Sequence, residues 1–375
     1  MAVPSHHLRN SLQTGVLVLS QLLLAGCARR GDGGGEIGIG VALDPHRAGM
    51  QSIYNGVQLA VDQLNAQREG HAPARMIKGA PDVSDPIRIA ETLRDNPAVV
   101  GVVGHPESGT TLDAIGEYAD TKNGGRNAVV AITPTGTSAA LSGANHWLFR
   151  LCPSDAYTSR TLAQFALDSL RAMRASVIYR NDAYGRDWSK SFSDAYRQGK
   201  GTIVERDPYL AGVTPWDAYA EYVKKLKPDV VLFPGSTEDA VAALRAMRAV
   251  GVSTPLVGGD ATSGLEANAA EFPNARYVAF FLARRATTPN AKAFIAAYRA
   301  AFKEDPDQRA ALAYDAAMII ARAAMDVGPD RAKIRDYIES IGGSRPAMDG
   351  VAGTIKFDEK HDAVNKPVVV VQVGK

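Results

Sequence analysis

Val99-Val100-Gly101-Val102-Val103-Gly104-His105-Pro106-Glu107-Ser108-Gly109-Thr110-Thr111 is the stretch on which the fold turns. Its first five residues are valine or glycine with no polar residue between them, which reads as a strand buried in a sheet. Asn96-Pro97 stops the preceding helix in front of it. Behind it, glycine and hydroxyl residues lead into another helix and offer free backbone N–H groups with hydroxyls beside them, an arrangement that suits a carboxylate. Helix, buried strand and helix in succession make the unit of an α/β protein with a parallel sheet.

The unit recurs in both directions. Upstream, residues 37–43 read as a strand, and residues 52–65 place Ile53, Val57, Ala60 and Leu64 at helical spacing. Asp85-Pro86 starts a helix as N-cap and first-turn proline. Downstream, residues 128–132 form another buried strand, followed by Thr133-Pro134-Thr135-Gly136-Thr137-Ser138, which is hydroxyl-dense and marks an expected helix start.

A second set opens at Ser154 or Asp155, either of which can cap a helix carrying Leu162, Phe165, Ala166, Leu170 and Met173 on one stripe. Strands follow at 176–179, 229–233, 255–257 and 277–281, and helices at 219–226 and 238–250. After Ala283 come three more helices (about 290–303, 308–327 and 331–341) and two late strands, more than either half can add at its end without crossing back. The expected fold is two doubly wound parallel-sheet lobes joined by three crossings. Residues 36–150 with 283–353 form one lobe, and residues 151–282 with 354–375 the other.

In open parallel sheets ligands bind beyond the carboxyl ends of the strands, so the loops there hold the candidate site. One lobe offers neutral donors at Ser108, Thr135 and Thr137. The other offers Tyr184, in Tyr184-Gly185, and the anion Asp260, in Gly258-Gly259-Asp260. Each has a plainer reading: the hydroxyls as N-caps, Tyr184 as a half-buried core ring, Asp260 as a helix cap and His105 as a structural hydrogen-bonding residue.

The 375 residues are 46% hydrophobic and 22% charged, normal for a globular chain with a core. Lys plus Arg number 42 against 40 Asp plus Glu, with no basic cluster that could track a phosphate backbone, so nucleic acid is not an expected partner. No Gly-x-Ser-x-Gly elbow, Walker loop or zinc spacing occurs, and Gly38-x-Gly40 lacks the third glycine of a dinucleotide fingerprint. Neither an enzyme nor a cofactor or metal is expected.

The start of the chain differs from the rest. A weakly basic segment precedes an apolar stretch over 15–24, too short to span a bilayer. It ends in Leu24-Ala25-Gly26-Cys27, which resembles the lipobox of bacterial lipoproteins, where the cysteine becomes the lipidated first residue; an ordinary cleaved signal is the alternative. Residues 1–27 are then a signal ending at the lipid anchor Cys27, and 28–35, rich in glycine, a flexible tether. Cys152 remains alone and reads as a small buried apolar residue.

Over almost the full mature length the sequence resembles the type I periplasmic binding proteins, and within them the branched-chain amino acid receptor group of ABC importers. The matching residues are Asn55-Gly56-x-x-Leu59-Ala60-Val61-Asp62-x-Leu64-Asn65, Asp85-Pro86, Val102-Val103-Gly104-His105, Ile132-Thr133-Pro134, Tyr184-Gly185, Gly258-Gly259-Asp260, Ala313-Tyr314-Asp315-Ala316 and Phe357-Asp358. The resemblance implies a monomer that closes around an amino acid or related small zwitterion or acid and delivers it to a membrane permease. It places Ser108, Thr135 and Thr137 on the α-carboxylate and Asp260 on the α-ammonium, with Tyr184 lining the cleft.

Four departures bear on the ligand. Asp44-Pro45-His46-Arg47-Ala48-Gly49-Met50 lacks the group's Thr/Ser-Gly-Pro run, the segment before Asp85 lacks the usual acidic pair, residues 121–127 are longer than typical, and Ser236 stands where an aromatic is often found. A bulkier or more acidic ligand than leucine is then expected, with Arg47 a candidate partner for a second carboxylate. The competing function is a ligand-sensing module for amides, urea-like compounds or aromatic acids that signals to a membrane partner.

Overall fold

The computed structural model describes residues 36–47, 49–67 and 71–375. The expected signal, the expected tether and the expected lipid-anchor residue Cys27 lie outside the described residues. The first half lays down β1 (Ile37–Ala42), α1 (Gln51–Ala66), β2 (Ala74–Lys78), α2 (Pro86–Asp95), β3 (Val99–Gly104), α3 (Ser108–Tyr118), β4 (Ala131–Thr133) and β5 (Leu148–Arg150). These strands form one wholly parallel sheet in the order β2-β1-β3-β4-β5. Every residue of β1 and β3 is buried, which explains their unbroken apolar runs. Burying an Ile or Val side chain fully, as at Ile39 and Val103, stabilises the fold by about 1.5–3 kcal/mol each.

The second half adds α4 (Asp155–Asp168), β6 (Arg174–Arg180), α5 (Ala183–Gln198), β7 (Thr202–Tyr209), α6 (Trp216–Leu226), β8 (Val230–Phe233), α7 (Thr237–Ala249), β9 (Leu256–Gly258) and β10 (Arg276–Ala279). Then come α8 (Pro289–Phe302), α9 (Gln308–Val327), α10 (Arg331–Glu339), the hairpin β11 (Met348–Gly350) and β12 (Gly353–Ile355), and β13 (Val369–Gln372). The second sheet runs β13-β10-β9-β8-β6-β7.

The chain returns to the first lobe after β10, where α8 and α9 pack on α1 and α9 and α10 pack behind β3. It then goes back to place β13 on the second sheet. Two lobes are therefore present, one a parallel sheet and the other parallel except for β13, each covered by helices. The late strands number three rather than two, and β13 pairs antiparallel with β10. A strand arriving from the other lobe needs no helical crossover, so it can take the edge in either direction.

Several helix boundaries follow their sequence signals. Asp85 accepts from the Ile87 N–H with Pro86 in the first turn, and Thr288, Asp307 and Asp330 cap α8, α9 and α10 through their side chains. The helix expected after Thr133–Ser138 does not form. The chain makes only a short 3-10 turn at Ala139–Leu141 and reaches the neighbouring strand β5 directly.

Candidate functional site

A cleft of about 600 Å³ lies between the lobes, at the carboxyl ends of their strands. On the first lobe, β3 ends at Gly104, whose φ of +127° and a Cβ position only 2.5 Å from the Ala42 carbonyl oxygen exclude a side chain. The turn delivers Pro106, Glu107 and Ser108 to the cleft at the amino end of α3. Glu107 sits at the N-cap but makes no capping bond; its carboxylate pairs with Arg47. The α3 amides are therefore left without a side-chain cap, with the positive end of the helix facing the cleft.

Ser108 is 2% exposed, and its hydroxyl oxygen accepts the Ser138 N–H at 3.1 Å, leaving its proton available. Thr135 lines the cleft, but its hydroxyl donates to the Pro106 carbonyl at 2.7 Å. Thr133 likewise donates to the His105 carbonyl at 2.6 Å, so the hydroxyls of this loop lash it to the loop after β3. Thr137 is not among the lining residues. Its side chain is buried beside the Asp155 carboxyl because the chain turns down toward β5 here.

On the second lobe, Asp182 caps α5 through the Gly185 N–H at 2.8 Å and pairs with Arg180 at 2.9 Å. This sets Tyr184 in the first turn, where its hydroxyl donates to Asp260 Oδ1 at 3.0 Å. A Cβ on Gly259 would lie 2.1 Å from that hydroxyl, so glycine there is what admits the contact. Asp260 is 5% exposed, and burial pushes its pKa up to about 6 against the lowering effects of the Tyr184 hydrogen bond and the Arg309 charge. Ser236 lines the wall, but its hydroxyl exchanges hydrogen bonds with Asp239 as the cap of α7.

The structure thus brings Ser108, Thr135, Tyr184, Ser236 and Asp260 to one cleft and leaves Thr137 behind it. Arg47 also lines it, already paired with Glu107. Gln308 was not singled out from sequence. It is 4% exposed, donates to the Asp260 carbonyl at 3.0 Å and accepts the Phe280 N–H at 2.9 Å, joining the start of α9 to the second lobe. As the residue after a capping Asp307, it looks like an ordinary first-turn glutamine, and no sequence signal marks it.

His105 is buried, and burial drives its pKa down to about 3, so its ring is neutral. Cys152 is fully buried, and burial raises its thiol, an inert arrangement. No helix among the described residues is long and apolar enough to cross a membrane. No group of three or more His, Cys, Asp and Glu among them could hold a metal ion.

Two α/β lobes with donors on one wall of the cleft and an anion on the other define a solute-binding protein. The family model described as periplasmic binding protein matches residues 44–375, and the chain belongs to that family, in its type I, branched-chain amino acid group. The leucine-specific-binding protein of Salmonella typhimurium is 26% identical over 320 residues, 82% of each chain. The Leu/Ile/Val-binding protein of Escherichia coli K12 is 23% identical over 313 residues, again 82% of each. Among solved structures, the branched-chain amino acid transporter substrate-binding protein LivJ of Streptococcus pneumoniae, in complex with isoleucine, superposes with a TM-score of 0.80 at 27% identity. That match covers 91% of this chain and 97% of LivJ. These relatives are binding proteins and not enzymes.

Proposed function

We propose that the chain is the extracytoplasmic solute-binding protein of an ABC importer, and that its cleft takes an amino acid or a related small zwitterion or acid. The division of the cleft carries this reading: the Ser108 hydroxyl and the uncapped amino end of α3 on one side, the Asp260 carboxylate on the other. A zwitterion needs donors and an acceptor facing each other, since burying either charge unpaired is unfavourable by several kcal/mol. The α-carboxylate goes to Ser108 and the α3 amides, and the α-ammonium to Asp260. Thr135 lines the carboxylate side, Thr137 stays behind the cleft beside Asp155, and Ser236 lines the opposite wall, with Tyr184 holding Asp260.

Relatives named for leucine, isoleucine and valine support an amino acid. Residues 36–150 with 283–353, and 151–282 with 354–375, are the two bodies that close as a monomer on it, and Cys27 carries the lipid that keeps the protein beside its permease. A thermal-shift screen of a form starting near Gly33 against amino acids, amides and small carboxylates tests the function. A ligand at about 100 times its Kd adds roughly 2.7 kcal/mol of stability. If carboxylates lacking an amine shift the melt and amino acids do not, Asp260 does not meet an ammonium.

A further inference from the structure

Gln308 is the side chain through which the first lobe reaches the acid of the second. It opens α9, whose cap is the neighbouring Asp307, accepting the Ala310 N–H at 2.8 Å. The Gln308 side chain has no capping role and turns inward to the wall of the cleft, only 4% exposed, where a glutamine is ordinarily left in water. α9 packs along α1 and against β3, so Gln308 belongs to the first lobe. Both partners of its amide lie across the boundary: Phe280 directly follows β10, and Asp260 follows β9 after the single residue Gly259.

Chemistry fixes the orientation of that amide. A backbone N–H can only donate, so Oε1 must face Phe280, and Nε2 is left to donate to the Asp260 carbonyl. Phe280 and Asp260 are both buried, so loss of the amide would strand two backbone groups, one on each segment. Asp260 has need of this tie. It opens a run of 3-10 turns, Asp260–Asn268, whose cap residue Gly259 has no side chain to brace it. Tyr184 holds Oδ1 of the carboxylate at 3.0 Å but not the main chain behind it.

We propose that Gln308 is a positioning residue of the ammonium subsite, holding the Asp260 main chain from the opposite lobe so that the carboxylate meets the ligand's ammonium in one orientation. This rests on the reading that Asp260 takes an ammonium, and adds that the acid is set in place by both lobes and not by the second alone. The first lobe then takes part in recognising both ends of the zwitterion, the carboxylate through Ser108 and the ammonium through Gln308.

The probes are the twenty standard L-amino acids. The one with the largest thermal shift on wild type is taken forward with its 2-hydroxy acid, the same molecule with a hydroxyl in place of the ammonium. Both Kd values are measured by calorimetry at pH 8, above the Asp260 pKa of about 6, so that the acid is ionised throughout. Gln308→Met keeps the length of the side chain and removes both hydrogen bonds. It should weaken the amino acid about tenfold or more while the 2-hydroxy acid stays within about threefold. In an Asp260→Asn background the same substitution should change amino acid binding by less than about threefold, because the charge it positions is gone. Gln308→Asn keeps an amide too short to span Phe280 and Asp260 together; it should give the same pattern, and it carries the test if the methionine variant folds poorly.

An equal loss for both ligands, or a lower melting temperature with the ratio of the two Kd values unchanged, makes Gln308 a structural tie between α9 and the second lobe and overturns the proposal while leaving Asp260 in place. If no amino acid shifts wild type, or if Asp260→Asn leaves that ratio unchanged, the ammonium reading falls and this proposal with it.

Discussion

Ser108→Ala separates two jobs that one hydroxyl performs. Its oxygen accepts the Ser138 N–H at 3.1 Å in a site 2% exposed, so the alanine leaves a buried backbone donor without its partner. That loss lowers the stability of the empty protein by about 1–3 kcal/mol. The hydroxyl proton is the group free to donate to a ligand carboxylate, and a hydrogen bond to a charged group contributes about 1.5–3 kcal/mol. Affinity for the amino acid with the largest thermal shift should then fall about 10- to 150-fold. Urea denaturation without ligand gives the first quantity and titration calorimetry of the same preparations the second. Reduced stability with unchanged Kd would show that Ser108 only ties its loop to the loop after β4, and the carboxylate would have to sit elsewhere.

Arg150→Met removes the cation that satisfies the Thr137 and Ser138 carbonyls and pairs with Asp362, leaving a largely buried acid unpaired; a loss of about 3–5 kcal/mol is expected in denaturant unfolding. A loss under about 1 kcal/mol would show that the crossing does not depend on this staple. Glu117 is held below the usual carboxylate range by its hydrogen bond to Lys122 first and, against burial, by Arg94. Its contribution is therefore present above pH about 4.5 and lost as pH falls through the depressed value, so Glu117→Gln should flatten the acid limb of the stability curve. An unchanged limb would refute that. Cys27→Ser should move the full-length protein from the membrane fraction to the soluble one with no change in ligand affinity, and retention on the membrane would argue for an uncleaved anchor.

The alternation of strand and helix was legible because the central strands β1, β3, β8 and β9 are buried throughout, so their sequences carry no polar residue to blur the pattern. The edge strand β7 reads Thr-Ile-Val-Glu-Arg-Asp-Pro-Tyr and its charges hid it, and β5 is too short to register. The loops at the strand ends were legible as the lining of the cleft between the lobes, since the topology of the sheets brings them there. What those loops do with their hydroxyls was not legible. Thr135 and Ser236 have theirs taken up by local bonds, a matter of partners distant in sequence or of exact cap geometry. The burial of Asp155 was equally hidden, because Ser154-Asp155 offers two equivalent caps and only packing decides which one turns inward.

The rest of the cleft lining sets a condition on the ligand's side chain. Besides Ser108 and Asp260 the wall carries the pairs Arg47–Glu107 and Arg180–Asp182, together with Glu238 and Arg309, and its apolar contributors are chiefly Met50, Pro106 and Ala261. Closing these lobes on an aliphatic side chain would strip water from charged pairs that now remain partly exposed and return no hydrogen bond, a penalty of about 1–3 kcal/mol for each polar group left unmatched. A polar side chain replaces the lost water contacts, and one with a second carboxylate can draw Arg47 from Glu107. Amino acids with polar or acidic side chains should therefore outrank leucine, isoleucine and valine in the same thermal-shift screen. Tightest binding of leucine would refute this, and would mean that closure carries the arginine pairs clear of the ligand.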